Sequence, residues 1–280
     1  MFKQLQSHLF SFDLEWVPDP LAAKQLHGVE HDPPYSIESA MKTLWQRAGA
    51  TEEQPQPYLK TVLCRIVTIA GIYRENTDTG ASHKLISLPH DLEDSAKCEE
   101  DALLNGFLKS LGSKKPQLVG YNSSNSDLPI LVERSIVHGL PSHGFAERPD
   151  KPWEGADYFS MHADQHIDLA QPLGKWNMKP RLHEIATLCG IPGKIDISGD
   201  SVAQLWMQGK LETIRNYNEY DALTTHLLWA RMAHFNGLLS SDAYDQEQLR
   251  IKELLETEIS NGKAHLEPYL TEWLRRNPAL

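Results

Sequence analysis

Two carboxylates stand two positions apart in Phe12-Asp13-Leu14-Glu15-Trp16. In an extended strand successive side chains alternate, so Asp13 and Glu15 share one face and Phe12, Leu14 and Trp16 the other. The two anions repel each other, and a divalent cation, which prefers carboxylate oxygen, relieves both. An isolated D-x-E is also what an ordinary solvated strand face looks like, so the pair alone decides nothing. A third acid, Asp127, ends the stretch Gly120-Tyr121-Asn122-Ser123-Ser124-Asn125-Ser126-Asp127 and precedes Leu128-Pro129. Alone it reads as the cap of a helix with Pro in its first turn. An acid just past the C-terminal end of a sheet strand is also where α/β folds build sites. A fourth acid, Asp221, follows Tyr217 by four residues, which puts the two on one helix face. Asp is intrinsically poor in mid-helix, and a solvated Asp beside a half-buried Tyr is the plain alternative.

Hydrophobic periodicity supplies the elements that must carry these groups. Residues 9–17 and 61–73 read as strands, 84–88 as a third after the turn at 76–80, and 117–121 and 166–169 as short buried strands. Helical stripes run over 98–111, ended by Gly112, and over 128–138, closed by Gly139. Further helical patterns cover 182–189, 201–208 and 211–235, and the tail at 240–280 reads as two amphipathic helices. Three strands in succession followed by alternating helix and strand predict an α/β fold with a mixed sheet flanked by helices. Residues 18–58 form a Pro-rich insertion around a helix at 36–49 capped by Ser36. Residues 140–165 read as a long loop.

The chain has 280 residues, 27 Lys and Arg against 38 Asp and Glu, and a formal net charge of −11, which argues against a general nucleic-acid-coating protein. That balance does not exclude a nuclease, because bound divalent ions neutralise an acidic cleft locally. Cys64, Cys98 and Cys189 are an odd, scattered set, as expected of reduced thiols in a cytoplasmic protein. No apolar stretch approaches the roughly 20 residues that span a bilayer. Neither a phosphate-binding G-x-x-x-x-G-K-[ST], nor G-x-G-x-x-G, nor G-x-S-x-G occurs, so kinase, dinucleotide and α/β-hydrolase readings lack support.

D-x-E on a first strand, Asp127 after an Asn-containing loop, and Y-x-x-x-D on a late helix occur here in one order. In that order the sequence resembles the DEDD superfamily of 3′–5′ exonucleases on the ribonuclease H-like fold, in its tyrosine branch. A histidine-branch member would carry His five residues before Asp221, where this chain has Asn216. More narrowly it resembles the predicted 3′–5′ exonucleases related to the proofreading domain of bacterial family-B DNA polymerases. Supporting stretches include Phe12 to Asp19, His166-Ile167-Asp168-Leu169, Leu188-Cys189-Gly190-Ile191-Pro192-Gly193-Lys194 and Tyr217 to Asp221. The residue before Asp127 is usually Phe or His in such enzymes; here it is Ser126. The resemblance implies an exonuclease domain over 1–239 with a helical extension, 240–280, packed on it.

It also implies that Asp13, Glu15, Asp127 and Asp221 hold two Mg²⁺ or Mn²⁺ ions, about 3.5–4 Å apart in sites of this kind. Asp13 would bridge both ions, Glu15 and Asp221 would complete the nucleophile-side site, and Asp127 would serve the leaving-group ion. Tyr217 would orient the attacking water. The expected partner is a single-stranded 3′ end, DNA ahead of RNA, released as nucleoside monophosphates. A non-catalytic nucleic-acid-binding module that retains the fold is the alternative from another class. Trp16, Asn122, Lys175 and Lys179 are candidate substrate contacts, with Trp176 and Arg181 beside the lysines, although Trp16 is equally a core residue. His162, Asp164, His166 and Asp168 imitate a metal cluster, but a loop running into a strand favours surface or gating roles for the histidines. Asp168 could also support the site from a neighbouring strand. The insertion, leaving the first strand right after Glu15, is expected to wall the substrate channel.

Overall fold

The computed structural model describes residues 2–29, 36–78, 80–151, 154–160, 163–175, 178–193, 195 and 202–280. One sheet holds β1 (His8–Pro18), β2 (Cys64–Thr77), β3 (Gly80–Leu88), β4 (Gln117–Gly120) and β5 (His166–Asp168), in the order β3-β2-β1-β4-β5. β1, β2 and β3 pair antiparallel, whereas β4 and β5 join β1 in parallel. This is the mixed, helix-flanked sheet of the ribonuclease H-like α/β fold.

The alternation of β1 divides the interior in two. Phe10, Phe12 and Leu14 enter a core with α3 (Glu100–Lys114) and α4 (Asp127–Val137). Leu9 points the other way, into a core built on α8 (Leu211–Phe235). The tail forms α9 (Ser241–Ser260) and α10 (Leu266–Arg276), whose Ile251, Leu255, Tyr269 and Trp273 join that second core. A β-bulge separates Glu15 from Trp16 where β1 faces β2, so strict alternation stops there.

The insertion folds as α1 (Pro20–His27) and α2 (Ile37–Arg47). Ser36 caps α2 as expected, but α1 is an addition: Asp19 accepts from the Leu21 amide at 2.9 Å and Pro20 fills the first turn. Both helices pack through Ala23, Met41, Leu44 and Trp45 into the core around Leu14 and Val17, at the C-terminal end of β1. Residues Thr61–Leu63, expected as strand, form a 3₁₀ turn before β2. Gly112 does not end its helix, which runs to Lys114. A Cβ on Gly144, in the short α5 (His143–Ala146), would lie 2.8 Å from the Gly112 Cα, so the glycines let the two helices touch. The remaining helices are α6 (Leu182–Leu188) and α7 (Val202–Met207); Ser201, the expected start of α7, lies outside the described residues. No helix among the described residues is long and apolar enough to cross a membrane.

Candidate active site

β1 presents Asp13 and Glu15 on the face that carries Ser11, toward α8. Ser11 meets His226 there, its Oγ 3.0 Å from Nδ1, and Asp13 Oδ2 accepts from Asn218 Nδ2 at 2.7 Å. Asp221, one helical turn past Tyr217 on α8, completes a trio: ligand atoms of Asp13, Glu15 and Asp221 all lie within 4.8 Å of one another. Burial, then the charges of Asp221 and Asp127, push both the Asp13 and Glu15 carboxyls well above the ordinary carboxylate range. Glu15 adds to the strain on Asp13, and the Asn218 hydrogen bond opposes it. Burial and the charges of Asp221, Glu15 and Asp13 likewise push the Tyr217 phenol far up, and its hydrogen bond to Asp221 acts in the same direction. Tyr217 therefore stays a protonated phenol at neutral pH.

Asp127 stands outside this trio, near enough for its charge to act on Asp13 and Glu15. Past β4 the chain folds back so tightly that a Cβ on Gly120 would lie 2.4 Å from the Ser123 Cβ, which glycine avoids. Asn122 takes up the left-handed conformation, with φ of 57°. Asp168, at the end of β5, fixes this turn by accepting from the amides of Asn122 at 2.8 Å and Ser124 at 3.2 Å. Ser126, where such enzymes usually have an aromatic or His, lies with its Oγ 2.7 Å from Asp127 Oδ2 and 3.0 Å from the Asn122 carbonyl. The other oxygen, Asp127 Oδ1, is buried and has no hydrogen-bond partner among the described residues. Burial lifts the Asp127 carboxyl to about 6 against the pull of Ser126 and of the backbone amides of Asp127 and Leu14.

Four carboxylates with raised proton affinity or close crowding, one of them with an orphaned oxygen, fit hard divalent cations. Asp13, Glu15 and Asp221 could share one ion, and Asp127 could contribute its free oxygen to another.

The other expected residues fall in different places. Trp16 is half-buried against the core that holds Phe12 and Leu14. Asn122 uses its side chain within the loop, its Oδ1 accepting from Asn125 at 3.0 Å. Lys175 is exposed and Lys179 half-buried on a loop whose Pro180 carbonyl accepts from the Tyr121 hydroxyl, at the end of β4. Trp176 and His162 lie outside the described residues. Asp164 accepts from the Lys3 amide, and His166 Nε2 lies 2.9 Å from Ser123 Oγ, so neither awaits a ligand. Burial holds the His166 imidazole down at about 4. Tyr58, where the insertion rejoins the sheet, is 69% exposed.

A second polar cluster was not anticipated. Glu247 on α9, His83 on β3 and His226 on α8 converge in the second core with potential ligand atoms within 4.8 Å. The place of a cation there is taken by Arg74, whose Nε donates to both Glu247 oxygens at 2.9 and 3.1 Å. His83 Nε2 and His226 Nε2 sit 2.5 and 3.3 Å from Oε1, making a buried tie between sheet and tail in which His83 Nδ1 has no partner among the described residues.

Sequence reasoning also passed over Asn218 and Thr68. Thr68 Oγ1 donates to Asn218 Oδ1 at 3.2 Å, which leaves the amide hydrogens of Asn218 pointing at Asp13. The one available signal was the position of Asn218 beside Tyr217 in the Y-x-x-x-D stretch.

A comparison with curated proteins finds no match. A family model does match, over residues 56–273, beginning after β1 and including Asp127, Tyr217 and Asp221. Asp13 and Glu15 precede the matched span and join the site through the geometry above. By this match the chain belongs to the family of predicted 3′–5′ exonucleases related to the exonuclease domain of PolB.

Proposed function

We propose that the chain removes nucleoside monophosphates from the 3′ ends of single-stranded DNA by two-metal-ion phosphodiester hydrolysis. The observation that carries this reading is the convergence of Asp13 and Glu15 from β1 with Asp221 from α8, ligand atoms within 4.8 Å, on a family of predicted exonucleases. Asp13, Glu15, Asp127 and Asp221 would hold two Mg²⁺ or Mn²⁺ ions. When bound, such ions lower the pKa of a water and offset charge on the departing 3′ oxygen.

The chain's own groups do the rest. Asn218 keeps one Asp13 oxygen in place with a neutral donor. Tyr217, kept protonated, orients water by hydrogen bonding and does not act as a base. Lys175 and Lys179, beside the end of β4, attract the phosphates of the incoming strand, while α1 and α2 wall the channel at the end of β1. The relation to the exonuclease domain of PolB favours DNA over RNA.

The test is incubation of 5′-labelled single-stranded DNA and RNA with Mg²⁺, Mn²⁺ or chelator. A ladder shortening from the 3′ end, faster on DNA and lost on chelation, is expected. Asp13→Ala and Asp221→Ala should each abolish it; near-wild-type cleavage by both purified variants defeats the proposal.

A further inference from the structure

β3 is an edge strand, and among the described residues α8 and α9 pack on one face of its hairpin with β2. On the α8 side, Arg74 and His83 meet Glu247, and Ser87 meets Glu219. The opposite face of the hairpin carries Tyr73, Ile86 and Leu88, each only partly buried. α3 covers the neighbouring β1 on that face, with the Phe107 ring 5.8 Å from Phe10 and 6.4 Å from Phe12. Between α3 and the hairpin lies a largely apolar groove of about 590 Å³. That volume lies within the range of pockets that take a specific ligand, roughly 300–1,000 Å³. Gly106 lines it, and a Cβ built there meets nothing within 4 Å.

The groove opposes the charge of the molecule. In a chain of net charge −11, its rim carries Lys84, Lys97 and Lys114 against the single acid Glu75. Lys97 is taken up by Asp91 and Asp94, at 3.1 and 3.2 Å, and Glu75 faces His8 at 3.6 Å. Lys84 and Lys114 have no ion-pair partner among the described residues. The outer edge of β3 likewise makes no backbone hydrogen bond to another element among the described residues. Asp13 and Glu15 lie on the other face of the sheet, so an occupant of the groove leaves the carboxylate site open.

We propose that this groove docks an extended, acidic segment of a partner protein. Its backbone adds to the free edge of β3, its bulky apolar side chains drop between α3 and the hairpin, and its carboxylates meet Lys84 and Lys114. The proposal goes beyond the exonuclease reading and stands on different residues.

The experiment uses the full chain and a short fluorescent peptide that alternates Phe or Leu with Asp, with a control peptide carrying Lys in place of Asp. Fluorescence anisotropy should show the acidic peptide binding and the control binding at least about tenfold more weakly. Lys84→Glu combined with Lys114→Glu should weaken the acidic peptide by a similar factor, and Gly106→Leu, which fills the groove from an unstrained helix position, should block it. Circular dichroism and 3′-end cleavage should be unchanged in both variants. Equal binding of the two peptides, or affinity unaffected by either variant, overturns the proposal. So does competition by single-stranded DNA, or a concentration-dependent dimer that Gly106→Leu dissolves, which assigns the groove to nucleic acid or to a second copy.

Discussion

Asn218 is fully buried, and its two polar ends are both engaged: Thr68 donates to its oxygen and its nitrogen donates to Asp13. A flip of the amide would turn its oxygen toward the Asp13 carboxylate and lose that bond, so Asn218 holds Asp13 in place next to Glu15 and Asp221. Groups that orient a metal ligand from behind typically contribute 10–100-fold to metal affinity or activity. Asn218→Ala should accordingly weaken Mn²⁺ binding by about 10–100-fold, with the KM for single-stranded DNA little changed, and Thr68→Val should do the same to a smaller extent. Calorimetric Mn²⁺ titration of the purified variants checks this; unchanged affinity in Asn218→Ala would remove the positioning role. Asp13, Glu15 and Asp221 were legible in the sequence because each belongs to a local pattern, a strand alternation or an i,i+4 pair, whereas Asp127 taken alone read as a helix cap. Asn218 was not, since its bond to Asp13 spans 205 residues and no local spacing encodes it.

At the scale of elements, the placement of α4 decides where Asp127 stands. Arg134, two turns further along α4, is buried between Glu100 of α3 and Asp19 at the start of the insertion, with Nη2 to carboxylate distances of 2.6 and 2.8 Å. Glu100 also accepts from the Ile66 amide at 2.7 Å, so one guanidinium ties α3, α4, β2 and the insertion together. Removing one member of a buried ion pair leaves uncompensated charge and typically destabilises by about 3–5 kcal/mol. Arg134→Met, which keeps the apolar stem and removes the cation that Asp19 and Glu100 share while His138 Nε2 stays 2.7 Å from Glu100 Oε2, should therefore lower stability by about 3–5 kcal/mol in urea unfolding. Arg134→Lys should fall short of full recovery, because an ammonium cannot fork to two carboxylates. A loss below about 1 kcal/mol, the range of a surface pair, would show that the knot is solvated. The same knot explains where sequence reading was incomplete. The Asp19-Pro20 start signal for α1 sat in a stretch dominated by prolines, and Gly112 looked like a stop because its contact with Gly144 is tertiary.

Over the whole molecule, two sets of buried titratable groups act on stability in opposite directions. Burial raises the folded-state proton affinities of Asp13, Glu15 and Asp127, the last to about 6, and repulsion from neighbouring site carboxylates adds to the first two. Their contribution is fully present below the unfolded carboxylate values and is lost as pH rises toward 6 and beyond. His166 and His226 are held down at about 4 by burial, so their contribution is present above about 6.5 and is lost as pH falls toward 4. The windows overlap, so the melting curve of the metal-free chain mixes the two. Bound cations separate them. A divalent ion displaces the protons and screens the carboxylates, but leaves His166 and His226 as they are. The rise in Tm produced by saturating Mn²⁺ should therefore grow steadily between pH 5 and 7.5, while the histidine contribution cancels between the paired curves. In Asp127→Asn the metal-free protein should be more stable than wild type at pH 7 by on the order of 2 kcal/mol, and the Mn²⁺-induced rise should be smaller. Differential scanning calorimetry across that pH range reads both quantities. A Mn²⁺ effect that is flat with pH, and equal in wild type and Asp127→Asn, would mean that the ions bind elsewhere than among these carboxylates.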